Sequence, residues 1–313
     1  MLYSPYNLNR LFTFRAQRLD TNHYMSQPFI NSEYAPLSEV LLCRPDYYDW
    51  SPANAIVIEA MARGLKPDPL EATRQFDVMA QTLLAAGVRC HLVPPDPYLH
   101  YQTFTRDSAI MTPWGLLIAN MARPERRAEW VGILDLAAEQ QWPIWKKVTA
   151  GPLEGGDVQI LRPGTVVIGV NGVRTTPAAA SQVAKWFNDA GWTVRQVRVA
   201  QHFLHLDVLF CTASERIAVC ATECLDSSDV KWFESQGFEL LSVGYQEAMR
   251  MGCNVLALGN GRVLSSAQNT RVNSRLETIG LEVLAPDISQ FVTEGGSAHC
   301  LTMPIRRAEA AAA

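Results

Sequence analysis

Five times along this chain an amphipathic stretch stops at one residue and a short run of alternating apolar residues follows at once. Four of these junctions turn on a glycine, in segments 84–93, 189–197, 235–241 and 278–284, and the fifth, 139–144, has Gln141 where the others have glycine. Glycine is the residue that adopts the left-handed conformation closing a helix, so each junction reads as helix, cap, strand. The cap positions 87, 141, 191, 237 and 280 step by 54, 50, 46 and 43. Ahead of the last four helices, short turns at 111–115, 162–165, 212–216 and 259–262 separate paired strands. The unit is strand, turn, strand, helix, cap, strand, and a period near 50 marks a repeat architecture. An open array needs distinct polar units at both ends, and none is visible; a closed ring of five units leaves no exposed strand edge. The run Glu39–Cys43 near the N-terminus is placed to complete the unit that the segment around Cys300 begins.

The composition excludes several classes. With 313 residues, 48% hydrophobic and 19% charged, the chain can bury a substantial core. A net charge of −4 gives no footprint for nucleic acid or an anionic membrane, and no apolar run approaches the roughly 18 residues of a membrane span. No secretory leader is visible, and the seven cysteines are an odd number, of which Cys43, Cys90, Cys211 and Cys220 sit in apolar strand-like runs. A reduced, cytoplasmic setting is the expectation. No cysteine or histidine spacing suits zinc, so neither metal nor other cofactor is expected. The expected organisation is a lead-in over 1–35, one α/β domain over 36–307 and a flexible tail over 308–313; homo-oligomerisation is left open.

Polar motifs fall at one phase of the repeat: Thr105-Arg106-Asp107, Glu154-Gly155-Gly156-Asp157, His205-Leu206-Asp207, Gly252-Cys253-Asn254 and His299-Cys300. Positions 107, 157, 207, 254 and 300 step by 50, 50, 47 and 46, each at the start of the first strand of its unit. In a ring, equivalent positions meet near one axis. Asp207 follows His205 by two residues and shares its strand face. Cys300, close behind Gly295 and Gly296, has the accessible setting of a nucleophile rather than of core filler.

Taken together and in this order, Thr105-Arg106-Asp107, Glu154-Gly155-Gly156-Asp157, His205-Leu206-Asp207 and the 295–300 segment resemble the guanidino-group-modifying superfamily, the penteins. That family comprises arginine deiminases, dimethylarginine dimethylaminohydrolases and amidinotransferases. The resemblance covers about residues 35–307 and implies a five-bladed α/β propeller of pseudo-fivefold ββαβ repeats around a central pocket. It implies that Cys300 is the nucleophile, that His205 is the general acid and base, and that Asp107, Glu154 and Asp207 position the substrate. Asp157, Arg106 and His299 join the substrate-binding set by position. Asp157 also reads as a hydrogen-bond acceptor for backbone, Arg106 as a salt-bridge partner, and His299 as structural but near the pocket.

These residue types suit the chemistry. A guanidinium is planar and delocalised, and carboxylates accepting its paired N–H groups localise its charge and make the central carbon a better electrophile. A thiolate then adds to that carbon, a histidine protonates the departing amine, and water resolves the covalent thiouronium. The expected partner is therefore a small cationic guanidino compound. Free-arginine deiminases typically carry an arginine just before the cysteine; here His299 stands there, and Glu294 is acidic, which argues against free arginine. Hydrolysis of a guanidino or ureido compound is favoured, amidino transfer to an amine is the runner-up, and a non-catalytic binding protein of the same fold is the remote alternative.

Overall fold

The computed structural model describes residues 29–52 and 54–311. Fifteen strands make five three-stranded sheets. They are β1 (Leu37–Cys43), β2 (Arg89–Val93), β3 (Ala109–Thr112), β4 (Gly115–Ile118), β5 (Ile144–Lys147), β6 (Val158–Arg162), β7 (Thr165–Val170), β8 (Thr193–Arg198), β9 (Phe210–Thr212), β10 (Ile217–Cys220), β11 (Glu239–Ser242), β12 (Leu256–Gly259), β13 (Arg262–Leu264), β14 (Glu282–Leu284) and β15 (Met303–Arg307). In the sheets β3-β4-β5, β6-β7-β8, β9-β10-β11 and β12-β13-β14, an antiparallel hairpin precedes a parallel third strand. A parallel neighbour needs a crossover, and each unit supplies one helix: Trp130–Gln140, Pro177–Asp189, Ser227–Ser235 or Thr270–Thr278.

The fifth sheet joins the ends of the chain. β15 pairs antiparallel with β1, which pairs parallel with β2 after the crossover helix Pro69–Ala85. This is the completion expected of Glu39–Cys43. The sheets also touch in a cycle: β15 packs on β3, the turns preceding β3, β6 and β9 meet one another, β9 packs on β12, and β12 on β1. All four glycine caps have φ between +84° and +88°, and Gln141 holds the same left-handed region at +57°. A side chain there costs roughly 1 kcal/mol. Gly191→Ala is therefore expected to destabilise by about 1 kcal/mol, and Gln141→Gly to act with the opposite sign, partly offset by the freer unfolded chain. Paired thermal melts check this, and melts that move the same way would refute it.

The apolar core lies in two clusters, one between β3 to β8 and their helices around Phe187 and Ile168, the other beneath the remaining units around Phe76, Phe210 and Leu276. The ends of the chain differ from expectation. Residues 1–28 lie outside the described residues, but Phe29 bridges Arg306 and the Asn31 side chain exchanges hydrogen bonds with the backbone of Ala310. Ala308 also donates to the Pro36 carbonyl. The last part of the lead-in is thus packed on the final strand, and the tail is held as far as Ala310. Among the described residues, no helix is long and apolar enough to cross a membrane.

Candidate active site

The turns at the shared phase converge. Thr105–Ser108 is a single helical turn, and 155–157, 206–208 and the segment before β15 are tight turns ending at a first strand. Their side chains close on one narrow cleft with a cavity volume of about 30 Å³. Asp107, His205 and Cys300 line it, with Asn54, Tyr101, Phe104, Leu204 and Glu294 on its walls. Three elements remote in sequence thereby bring a thiol, an imidazole and a carboxylate to one space.

The remaining expected residues stand behind that wall, and the three-acid clamp is reduced there to Asp107. Glu154 is fully buried, its Oε2 lying 2.7 Å from His205 Nε2 and 3.1 Å from Arg174 Nη1. Asp207, also fully buried, has its Oδ2 2.9 Å from His299 Nδ1 and 3.3 Å from the Cys300 sulfur. Each acid is held by a buried histidine that also faces a second carboxylate, Asp107 for His205 and Glu33 for His299. Asp157 accepts the Leu206 N–H at 2.8 Å, the backbone role anticipated as its alternative. Arg106 is not a wall residue either. Its Nε donates to the carbonyl of Thr302 at 3.1 Å and its Nη1 lies 3.4 Å from Glu33 Oε1. It fastens the segment carrying Cys300 from beneath, the salt-bridge role read for it beside that of substrate contact. His299 turns away from the cleft toward Asp207 and Glu33.

The electrostatics follow from burial and pairing. Burial pushes His205 down, but Asp107 and the bond to Glu154 outweigh it and raise the imidazole to about 10, so it is held as imidazolium. Burial works against Glu154, but the His205 bond and Arg174 hold its carboxyl well below the usual range. Burial, with the charges of Asp207 and Asp107, pushes the Cys300 thiol well above its ordinary value. Burial raises Glu294 to about 8 despite Arg126 and Arg174, and raises Asp157 to about 7. The resting state pairs a protonated acid with a neutral thiol, and an incoming cation is what would shift the thiol toward thiolate.

A family model described as N,N dimethylarginine dimethylhydrolase, eukaryotic, matches residues 62–307. The chain belongs to this family. With it the chain falls in the guanidino-group-modifying pentein superfamily that the motifs indicated. The uncharacterized protein YkgA of Bacillus subtilis is 28% identical over 281 residues, covering 89% of this chain and 95% of that one. An arginine deiminase of Mycobacterium marinum is 29% identical over 301 residues, covering 80% and 73%. Among solved structures, the product-bound N-terminal domain of ArgZ, a cyanobacterial arginine dihydrolase, superposes with a TM-score of 0.75 at 21% identity, covering 86% of this chain and 97% of that one. A Pseudomonas aeruginosa DDAH complexed with citrulline gives 0.73 at 20%, covering 86% and 99%. These last two share the fold.

Three arginines that line the cleft of this family member, Arg123, Arg126 and Arg174, went unread in the sequence. Arg126 is buried between Asp107, at 2.9 Å, and Glu129, at 2.8 Å. A signal was present: Arg126 follows its acid by 19 positions and Arg174 follows Glu154 by 20, both in the loop after the second strand of a unit. Ligand atoms of Asp107, Glu154 and His205 lie within 4.8 Å of one another, a spacing that could admit a metal ion. Glu154 already holds His205 and Arg174, and Asp107 holds Arg126, so the trio is better described as an ion-pair network than as a ligand set.

The two glycines at 155 and 156 are constrained by space rather than by backbone angle. A Cβ on Gly155 would fall 2.0 Å from the Arg106 carbonyl oxygen, and one on Gly156 would fall 2.7 Å from His205 Nδ1. Gly156→Ala is expected to push the imidazole aside and lower kcat about 100-fold, as a misplacement near 1 Å does. Steady-state kinetics beside a thermal melt test this; unchanged kcat in a folded variant would contradict it.

Proposed function

We propose that this protein is a cysteine-dependent hydrolase of a C–N bond in the guanidino group of an amino-acid-like substrate, of the arginine or N-methylated arginine kind. The observation that carries the reading is the shared cleft: Cys300 and His205 stand with Asp107 where a guanidinium would lie, and arginines line the same space. Asp107 accepts N–H groups of the guanidinium, and the substrate's charge favours release of the Cys300 proton to bulk water as the substrate binds, leaving a thiolate. The sulfur adds to the central carbon. His205, held as imidazolium by Glu154, gives its proton to the departing amine, and the C–N bond breaks to leave a thiouronium on Cys300. His205, now neutral, takes a proton from water; hydroxide adds to the carbon, the C–S bond breaks, and a ureido product and free thiol result.

The arginines revise the expectation drawn from His299. Arg123, Arg126 and Arg174, each already paired with an acid, give the cleft cationic groups compatible with a substrate that carries an anionic group as well as a cationic one. The named activities of the relatives, arginine deiminase, arginine dihydrolase and DDAH, agree with such a substrate. The test is to incubate the protein with L-arginine, Nω,Nω-dimethylarginine and agmatine, which lacks the carboxylate, with and without an amine acceptor. Ammonia or dimethylamine released without acceptor, and slow turnover of agmatine, is the expected result. Strict dependence on acceptor would make the protein an amidinotransferase. Absence of turnover, with Cys300 unprotected from iodoacetamide by any guanidino compound, would make it a binding protein.

A further inference from the structure

Asn254 occupies the fifth position of the shared phase and touches the nucleophile directly. It is fully buried. Its Oδ1 accepts the backbone N–H groups of His299 at 3.1 Å and Cys300 at 3.2 Å. Its Nδ2 donates to the Asp207 carbonyl at 3.2 Å and lies 3.0 Å from the Cys300 sulfur. The orientation of this amide is fixed by its partners. Two backbone N–H groups can only donate and a carbonyl can only accept, so oxygen must face the first pair and nitrogen the second. The group at the sulfur is therefore an N–H donor.

We propose that Asn254 is a positioning residue that fixes the Cys300 sulfur and supplies the hydrogen bond that stabilises it as a thiolate. The proposal rests on Cys300 being the nucleophile. In the neutral thiol, S–H points at Asp207 Oδ2, 3.3 Å away, and the contact is favourable. Once the proton leaves, the same contact sets two anions side by side. The Asn254 N–H then faces a negative sulfur, and a hydrogen bond to a charged acceptor is about twice as strong as one to a neutral acceptor. The bond is worth more to the thiolate than to the thiol, so it favours ionisation. The two N–H bonds on Oδ1 hold the 299–300 backbone in the geometry that presents the sulfur to the cleft.

The test measures the rate of alkylation of Cys300 by iodoacetamide against pH in the full chain, with the label located by mass spectrometry. Asn254→Ala removes the amide; Asn254→Asp keeps an oxygen for the backbone N–H groups and replaces the donor at the sulfur. Both variants are expected to shift the midpoint of the profile upward by about one pH unit, so that alkylation at pH 7 falls roughly tenfold. A midpoint at the wild-type pH in either folded variant would overturn the proposal, even if turnover were lost. If Asn254→Ala does not fold, Asn254→Asp decides alone. Alkylation needs no guanidino substrate: a midpoint that Asn254 shifts in a protein without guanidino turnover would leave this inference standing and sink the proposed function.

Discussion

Cys300→Ser is expected to abolish turnover, lowering kcat by at least about 10⁴-fold, while leaving the fold within about 1 kcal/mol of wild type. The substitution exchanges one atom at a site with its backbone fixed by Asn254, so no cavity forms. The hydroxyl is lost as an attacker because an alcohol is far less acidic than a thiol and His205, held as imidazolium, is no base for it. Substrate affinity should survive, since the carboxylate and arginines of the cleft are untouched. Single-turnover kinetics and calorimetric titration measure the two parts. Retention of more than about one per cent of kcat would exclude the covalent route.

The second large effect is on stability against pH. His205 is raised from 6.5 to about 10, Asp157 from 3.8 to about 7 and Glu294 from 4.5 to about 8. A group with a folded-state pKa above its unfolded value stabilises fully below the unfolded value and loses that contribution as pH rises through the folded one. All three therefore erode stability from about pH 4 to pH 10. Glu33 is displaced the other way: burial opposes it, but Arg106 and His299 hold it near about 2, so its contribution is lost as pH falls from 4.5 toward 2. The midpoint of thermal unfolding should thus peak near pH 5 and decline through the alkaline range. His205→Gln should flatten the part of the decline between pH 6.5 and 10. A melting profile level from pH 5 to 9 would show that the imidazolium is not held as the ion pairs indicate.

The sequence disclosed what repeats. Glycine caps, hairpin turns and the spacing of Asp107, Asp157, Asp207, Asn254 and Cys300 are properties of a unit, and a unit seen several times declares itself even where one copy departs, as at Gln141. Features made by contact between units were hidden. Nothing near Glu33 in sequence indicates that it would meet Arg106 beneath the segment carrying Cys300. Glu154 and Asp207 were expected on the wall from the resemblance, but histidines of other units hold them behind it. The helix Ala55–Ala62, which places Asn54 at the cleft, was unreadable for another reason. Its apolar residues point both ways, with Val57 buried and Ile58 and Met61 exposed, so no periodic face marks it.

The closing sheet bears on how an active molecule comes into being. β15 must find β1 across nearly the whole described chain, and Cys300 sits three positions before that strand. The Cys300 sulfur is therefore the last of the cleft-lining groups to arrive, seated only when synthesis has passed it and the two ends have met. On the proposed reading, a chain that stalls short of Met303, or opens at this seam, lacks the strand that anchors the Cys300 segment and so has no organised nucleophile, and the order of assembly itself withholds activity from nascent or frayed molecules.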